Sequence, residues 1–566
     1  MQQDQHLQKI IKWLAPPDVS TNDNKALEQR YGNTGQWFLR SEEYSQWKAT
    51  SKYSLWLHGI PGCGKTILSS IIIDDLRHAR SYSDNLLYFY FDFSDTSKQS
   101  LENAIRSLVY QLYQKNPSTY QGYLHSLYSS CENGSRMPTI NLLHETLEEM
   151  AQQIGELWIV LDALDECQTR KGAKNEGLLS WMKGLLKVSR ANIHFLFTSR
   201  PERDIKSALN EFVDRQIPIQ SELVAKDICA YVHGRVRHYE GLKRWRKRED
   251  IQQEIENNLV QKANGMFRWV SCPLDSLEKC PDPISLREAL KKLPRTLDET
   301  YARILSKIPP DYERNATRLL QFLTFSERPL QVEEAVDINA VNLKEKPRFN
   351  ADYRMPEPDE ISIYCSSLVV VMSKTDEDGN IKRELQLAHF SVKEYLISDR
   401  LESNMSLHFE ERLARQCMAE ICLAYLLDLS HDPTVVKLQK DWPLAEYAAQ
   451  YWMGHAAQPG PNANGLRNLV WKFVQSERSH QICFGLYNPD KPWHKADLNS
   501  SEGVEAPLLY YMALGNVLCA VEKILNDGAD VNAQGGFYGN ALQIASLGGH
   551  KEIVQILVDN GANINA

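Results

Sequence analysis

At 566 residues the chain is several times the size of an ordinary domain, so about two to four domains are expected, and 43% hydrophobic with 24% charged residues is the balance of a folded, water-facing protein. A formal net charge of −9 argues against a general nucleic-acid binder. No apolar run reaches about 18 residues and the N-terminus (MQQDQHLQKIIKWLAPP) is too polar for a secretory leader, which leaves out a membrane partner and favours a cytoplasmic protein.

Residues 1–50 read as short helices, broken at Pro16-Pro17 and at the turn Gly32-Asn33-Thr34-Gly35, a lead-in too short for an effector domain. From 51 to 220 buried-strand candidates alternate with helices. The strands are Ser54–His58, Leu86–Phe93, Leu157–Leu164, Ile193–Ser199 and, more weakly, Arg215–Ile219; continuous apolar runs mean burial on both faces, and helices such as Leu101–Tyr113 and Leu178–Val188 supply the cover. The expectation is a parallel α/β sheet whose ligands sit beyond the C-terminal strand ends.

The first strand runs straight into Gly59-Ile60-Pro61-Gly62-Cys63-Gly64-Lys65-Thr66, the phosphate-cradling P-loop pattern, and a helix over Lys65–His78 follows. Gly59, Gly62 and Gly64 let successive N–H groups turn inward around an anion, and the helix aims its positive end at the same phosphates. Lys65 suits the β and γ oxygens of a nucleoside triphosphate, and the Thr66 hydroxyl suits Mg²⁺. Cys63, inside the loop, reads as a small residue facing away from phosphate rather than as a redox switch. Eleven cysteines without a C-x-x-C pair fit reduced thiols.

In WIVLDALDEC an apolar strand ends in Asp162, with Asp165 and Glu166 directly after it. A strand-end carboxylate here would hold Mg²⁺, and either Asp165 or Glu166 would polarise the water attacking the γ-phosphate. Arg200, ending the next strand, could reach the terminal phosphate, or could be a surface arginine paired with Glu202.

From 221 to 308 the pattern is helical; within it the basic run Lys243, Arg244, Arg246, Lys247 and Arg248 is crowded by acidic neighbours and reads as a solvated face. Between 309 and 404, helices at Ala316–Phe325 and Val332–Val336 precede β-rich segments Ile363–Met372 and Arg383–Leu387 joined by the turn Asp376–Asn380, an order that suits a winged helix. His389 leads into the next helix and by itself reads most simply as a core histidine. Residues 405–500 form a helical spacer with a Pro-Gly-Pro linker at 459–461. From 501 to 566, GADVNA at Gly528 recurs as GANINA at Gly561, and Gly515 as Gly548, both 33 residues on, which is the ankyrin period. Val521, Ile524 and Leu525 then match Val554, Leu557 and Val558 as inner faces of the second helices. Two repeats are fewer than a stable array wants, so further repeats are expected in the parent protein.

GIPGCGKT, YFYFDFSD, WIVLDALDEC and FLFTSRPE together resemble the NACHT-type NTPases of the STAND class, particularly the fungal group related to heterokaryon-incompatibility and innate-immunity-like receptors. WLAPPDVSTNDNKALEQRYGNTGQWFL resembles the start of the nephrocystin-like NTPase domain, ANGMFRWV and LPRTLDETY its helical domain, and LAHFSVKEYL the end of its winged helix. The resemblance implies a multidomain α/β plus α fold that binds ATP or ADP with Mg²⁺, stays monomeric with ADP and becomes a homo-oligomer with ATP, while ankyrin repeats engage protein partners. It further implies phosphate contacts from Gly59–Thr66, the metal on Asp162, Asp165 or Glu166 at the catalytic water, Arg200 as sensor, and His389 at the ADP β-phosphate. Family members often carry an N-terminal effector; here the lead-in begins almost at Met1, so the effector is absent or the gene model is cut short. No N-K-x-D guanine signature stands at a strand end, which favours ATP. A nucleotide-controlled signalling switch with slow hydrolysis leads; an ankyrin scaffold with a structural nucleotide site is the alternative, and a motor or kinase ranks below both because no acceptor site is visible.

Overall fold

Four largely apolar, buried strands and a more polar edge strand pair in parallel: β1 Ser54–His58, β2 Leu86–Tyr90, β3 Glu156–Asp162, β4 Asn192–Ser199 and, at the edge, β5 Arg215–Pro218, in the spatial order β2-β3-β4-β1-β5. This computed structural model describes residues 2–79, 82, 84–172, 177–188, 192–219, 221–375, 381–429, 441–458, 463–490 and 506–565. The chain divides into two units, Met1–Thr300 and Tyr301–Ala566.

In the first unit, successive strand residues point to opposite faces and build two cores. Trp56, Phe89, Ile159, Leu161 and Phe197 meet helices Leu101–Lys115, Ile140–Ala151 and Leu178–Val188 on one side. Leu55, Leu57, Trp158, Val160 and Leu196 face the other side. There the core continues without a break through Ile72 of the P-loop helix into Val232, Leu259, Trp269 and Leu277, so the helical segment expected after residue 220 shares its apolar interior with the sheet. The sheet positions the site by topology: the chain leaves β1 for the far edge at β2, returns through β3 and β4, and crosses to β5. The C-terminal ends of β1, β3 and β4 thus border one crevice.

The lead-in forms α1 (Gln2–Leu14), α2 (Ser20–Gln29), α3 (Gln36–Leu39) and α4 (Glu42–Ala49) before β1, and α5 (Lys65–His78) follows it. α5 starts at Gly64, in the left-handed region at φ +94°. The lead-in turn is fixed against it. Gly35 has φ +83°, its N–H donates to Asp227 at 2.7 Å, and a Cβ there would lie 2.6 Å from Ile71 of α5. The basic run after Tyr239 is paired, Lys243 and Arg246 with Glu240 and Arg248 with Asp250, while Trp245 is buried.

In the second unit, helix Pro310–Phe325, β6 (Leu330–Gln331), helix Val332–Ala340, β7 (Val369–Thr375) and β8 (Ile381–Leu387) give an antiparallel sheet of order β6-β8-β7, the winged-helix arrangement. The strand expected from Ile363 begins only at Val369; Pro358–Tyr364 is a 3₁₀ helix. The reason is visible in burial. Ile361, Cys365 and Leu368 are inward while Ile363 is 58% exposed, a helical spacing hidden by local alternation. The turn Asp376–Asn380 and the linker at 459–461 lie outside the described residues. Among the described residues, helices Glu411–Asp428, Ala445–Ala456, Asn464–Gln475 and Glu477–Leu486 precede the helix pairs Leu508–Leu514 with Leu518–Asn526 and Ala541–Leu547 with Lys551–Asp559.

The repeat shows in the backbone, because Gly528 and Gly561 both end second helices with φ near +90°, a conformation glycine adopts without Cβ strain. The inner face of the last helix needs correction. Ile553 and Leu557 are fully buried, whereas Val558 is 39% exposed and Val554 only half-buried. The inward row is set by i, i+4 spacing from Ile553, so the matching row one repeat earlier is Ala520 and Ile524, with Val521 buried beside it.

Gly35→Ala joins left-handed strain to a clash with Ile71, and an expected loss of about 1–3 kcal/mol follows. Thermal unfolding of the full chain measures it; an unchanged first transition would contradict the role given to this turn.

Candidate functional site

The P-loop leaves β1 with Gly62 at φ +74° and Gly64 at φ +94°, alternations that turn N–H groups toward a common centre. Cys63 lies underneath, 2% exposed, its sulfur 2.7 Å from where a Gly59 Cβ would stand, and burial raises its thiol pKa. Ile60 and Pro61 form the outer lip, Ile60 being 45% exposed. Lys65 Nζ donates to the carbonyls of Gly59 and Ile60, both at 3.1 Å, so its ammonium is folded over the loop.

Asp162 is the centre of the arrangement. Only 1% exposed, its carboxylate accepts three hydroxyl hydrogen bonds: Thr66 Oγ1 on Oδ2 at 2.8 Å, and Ser69 Oγ at 2.6 Å and Thr198 Oγ1 at 2.5 Å, both on Oδ1. Burial raises its pKa, with the three hydroxyls and Lys65 opposing that effect. The next residue, Ala163, is held in the left-handed region at φ 57°, ψ 51°. For a residue with a Cβ this is a strained position, retained by its N–H bond to Thr198 Oγ1 at 3.0 Å. The bend starts the 3₁₀ turn Leu164–Glu166, which carries the two carboxylates that follow.

Those carboxylates differ. Both oxygens of Asp165 meet Arg200, Oδ2 with Nε at 3.1 Å and Oδ1 with the backbone N–H at 3.0 Å. Arg200 is therefore not the surface arginine that the sequence offered as one alternative, and Glu202 pairs instead with Arg170 at 2.8 Å. Glu166 accepts from the Phe93 N–H at 2.9 Å, and its pKa is raised well above the ordinary carboxylate range by burial, then by Asp165, Asp92 and Asp162.

Sequence reading missed the wall behind Glu166. Asp92 accepts from Asn22 of α2 at 2.7 Å, and buried Lys98 donates to Asn22 at 2.7 Å. Burial alone would raise the Asp92 pKa, but Lys25, Lys98 and the Ser94 bonds outweigh it and the pKa is lowered. Gln99 ties the same loop down through the carbonyls of Asp92 and Phe93. No sequence signal marks it, because a lysine in a polar loop reads as exposed.

The P-loop, Thr66, Asp162, Asp165, Glu166 and Arg200 are thus gathered at one edge of the first unit. His389 belongs to the second unit, where its Nδ1 accepts from the Ser391 N–H at 3.1 Å and caps helix Phe390–Leu396; Ser391 in turn meets Tyr301 at 2.8 Å. Among the described residues no helix is long and apolar enough to cross a membrane.

Comparison with known proteins matches residues 33–200 to the family "Nephrocystin 3, N-terminal", residues 302–408 to "GPI inositol-deacylase, winged helix domain" and residues 540–566 to "Ankyrin repeat". The chain is 34% identical over 293 residues to azaphilone pigments biosynthesis cluster protein L of Monascus ruber, covering 49% of this chain and 61% of that protein. It is 26% identical over 398 residues to vegetative incompatibility protein HET-E-1 of Podospora anserina, covering 66% of this chain and 27% of that one. The chain therefore spans under two thirds of each of these relatives. Among solved structures, the Orc1 protein of Aeropyrum pernix in complex with DNA (12% identity, TM-score 0.27, 69% of this chain and 96% of that one) is too distant to bear on function. The same holds for a Walker-type ATPase of Pyrococcus abyssi (12% identity, TM-score 0.29, 65% and 96%). The matched segments, in the order P-loop domain, winged helix and ankyrin repeat, together with the incompatibility-protein relative, are similar to those of fungal NACHT-type STAND proteins with ankyrin repeats.

Proposed function

We propose that the chain is a nucleotide-dependent signalling switch that holds ATP or ADP with Mg²⁺, hydrolyses ATP slowly, and couples nucleotide state to self-assembly and to partner sensing through its ankyrin repeats. The observation that carries this reading is the hydrogen-bonded pair Thr66–Asp162, a P-loop hydroxyl and a buried strand-end carboxylate at 2.8 Å. A hydroxyl and a carboxylate are the hard oxygen donors Mg²⁺ takes beside phosphates. The inward-turned amides of Gly59–Thr66 and the folded-over Lys65 are a cradle for the phosphates themselves. Mg²⁺ held by Thr66 and Asp162 would neutralise charge on the β and γ oxygens.

Of the two carboxylates left open by sequence, Glu166 is assigned as the base. Asp165 is engaged on both oxygens by Arg200, and so it orients that guanidinium toward the terminal phosphate. Glu166 is fixed by a single backbone donor and would take the proton from the attacking water on its carboxylate. Its proton affinity is raised above the ordinary carboxylate range, first by burial and then by its acidic neighbours. A coupling of ~1–3 kcal/mol between nucleotide and conformation is enough to shift populations five- to 150-fold.

For the sensing end, Asp490 clamps the turn between the two ankyrin helix pairs by accepting from Tyr510 at 2.7 Å and from the Phe537 N–H at 3.0 Å. The side chains of Phe537 and Tyr538 stand 56% and 43% exposed on that turn. Rigidly held aromatics are suited to a protein partner.

Three outcomes test the proposal. Glu166→Gln should lose hydrolysis by about 10²–10⁴-fold while nucleotide stays bound; a variant that hydrolyses normally would reject Glu166 as the base. Wild-type hydrolysis should fall as pH drops through the raised Glu166 pKa, above the usual carboxylate range, since the protonated group cannot accept; a rate flat down to the ordinary glutamate range would contradict the assignment. Lys65→Ala combined with Asp162→Ala should empty the protein of nucleotide and abolish ATP-driven assembly, read by chromatography of the denatured supernatant and by light scattering. Intact signalling in a folded double variant would favour the scaffold alternative.

A further inference from the structure

The Mg²⁺ reading above uses Thr66 and one oxygen of Asp162, Oδ2. Oδ1 is the more heavily bonded oxygen, and neither of its partners belongs to the P-loop pattern. Ser69 stands one turn along α5 from Thr66, is fully buried, and donates to Oδ1 at 2.6 Å. Thr198 comes from β4, is also fully buried, and donates to the same oxygen at 2.5 Å while accepting from the strained Ala163 N–H at 3.0 Å. Two hydroxyls from two different elements thus fix the rotation of one carboxylate and leave Oδ2 toward the P-loop helix.

Neither hydroxyl is needed to fill space or to satisfy its own helix or strand. The neighbouring Ser70 shows the ordinary alternative for a buried helix serine, donating back to the Ile67 carbonyl at 2.8 Å. Ser69 turns away from that local bond and across to β3. Thr198 does more, because its oxygen links the carboxylate to the bend that sends the chain into Asp165 and Glu166; through it the cation arm and the water arm of the site share one support.

We propose that Ser69 and Thr198 are positioning residues for the divalent cation: they hold the Asp162 carboxylate in the single orientation that serves Mg²⁺ beside the Thr66 hydroxyl, and they contribute to nucleotide affinity only when the cation is present. The proposal rests on the nucleotide-site reading. Supports of this kind are worth about 10–100-fold in metal affinity.

The test uses the full chain and a ribose-labelled fluorescent ADP, titrated once with EDTA and once with Mg²⁺. Ser69→Ala and Thr198→Val should match wild type in EDTA and lose most of the affinity that Mg²⁺ adds, about tenfold or more each, whereas Ser70→Ala should lose none of it. Thr198→Ser keeps the hydroxyl and should restore the Mg²⁺ gain lost in Thr198→Val, which separates loss of the bond from loss of the methyl. A full Mg²⁺ gain in Ser69→Ala, or equal losses with and without the cation, would overturn the proposal. Wild type that binds no labelled ADP in either condition would instead overturn the site reading, and the proposal with it.

Discussion

A carboxylate with 1% exposure at the end of a β-strand is the constraint on which the first unit turns. Burying Asp162 away from water costs several kcal/mol unless its oxygens are satisfied, and in this chain α5 and β4 supply the hydroxyls that satisfy them. Those bonds bring three elements that are distant in sequence to one point. The helix starts from Gly64 at φ +94°, and Thr66 and, one turn on, Ser69 face β3.

Around that point the site is organised as opposed pairs. Asp165 and Glu166 are adjacent in sequence, yet one is locked to Arg200 and the other is held beside Asp92 at the end of β2. Both follow the left-handed Ala163, a strained residue between Asp162 and the 3₁₀ turn that carries them. Burial first, and then the crowding of Asp165, Asp92 and Asp162 at this edge, raises the proton affinity of Glu166. The lead-in joins in, because α2 supplies Asn22 to Asp92 and Asp23 to Arg77 of α5.

The strands and the P-loop were legible because each is written in contiguous residues. An apolar run ending in Asp162, and a glycine pattern followed by a helix without Gly or Pro, need no knowledge of the rest of the fold. What sequence could not show were partners brought together by topology. Ser69 and Thr198 look like ordinary hydroxyl residues in a helix and a strand, and nothing in 94–99 announces that Lys98 is buried against the lead-in. Nearness in sequence also misled, for Arg200 lies two residues from Glu202 but meets Asp165. Likewise the β-rich segment read from Ile363 begins in a stretch where burial of Ile361, Cys365 and Leu368 follows a helical step, and in the last helix Leu557 is inward as read but Ile553 rather than Val554 is its buried partner.

A nucleotide-held switch keeps its nucleotide longer than it takes to hydrolyse it. A single-turnover experiment that follows γ-phosphate cleavage and the escape of labelled ADP in the same sample compares the two rates directly. The account predicts cleavage far slower than the turnover of about ten per second common among enzymes, and ADP release slower still. Rapid cleavage with immediate product release would show an enzyme built to turn nucleotide over, and would contradict it.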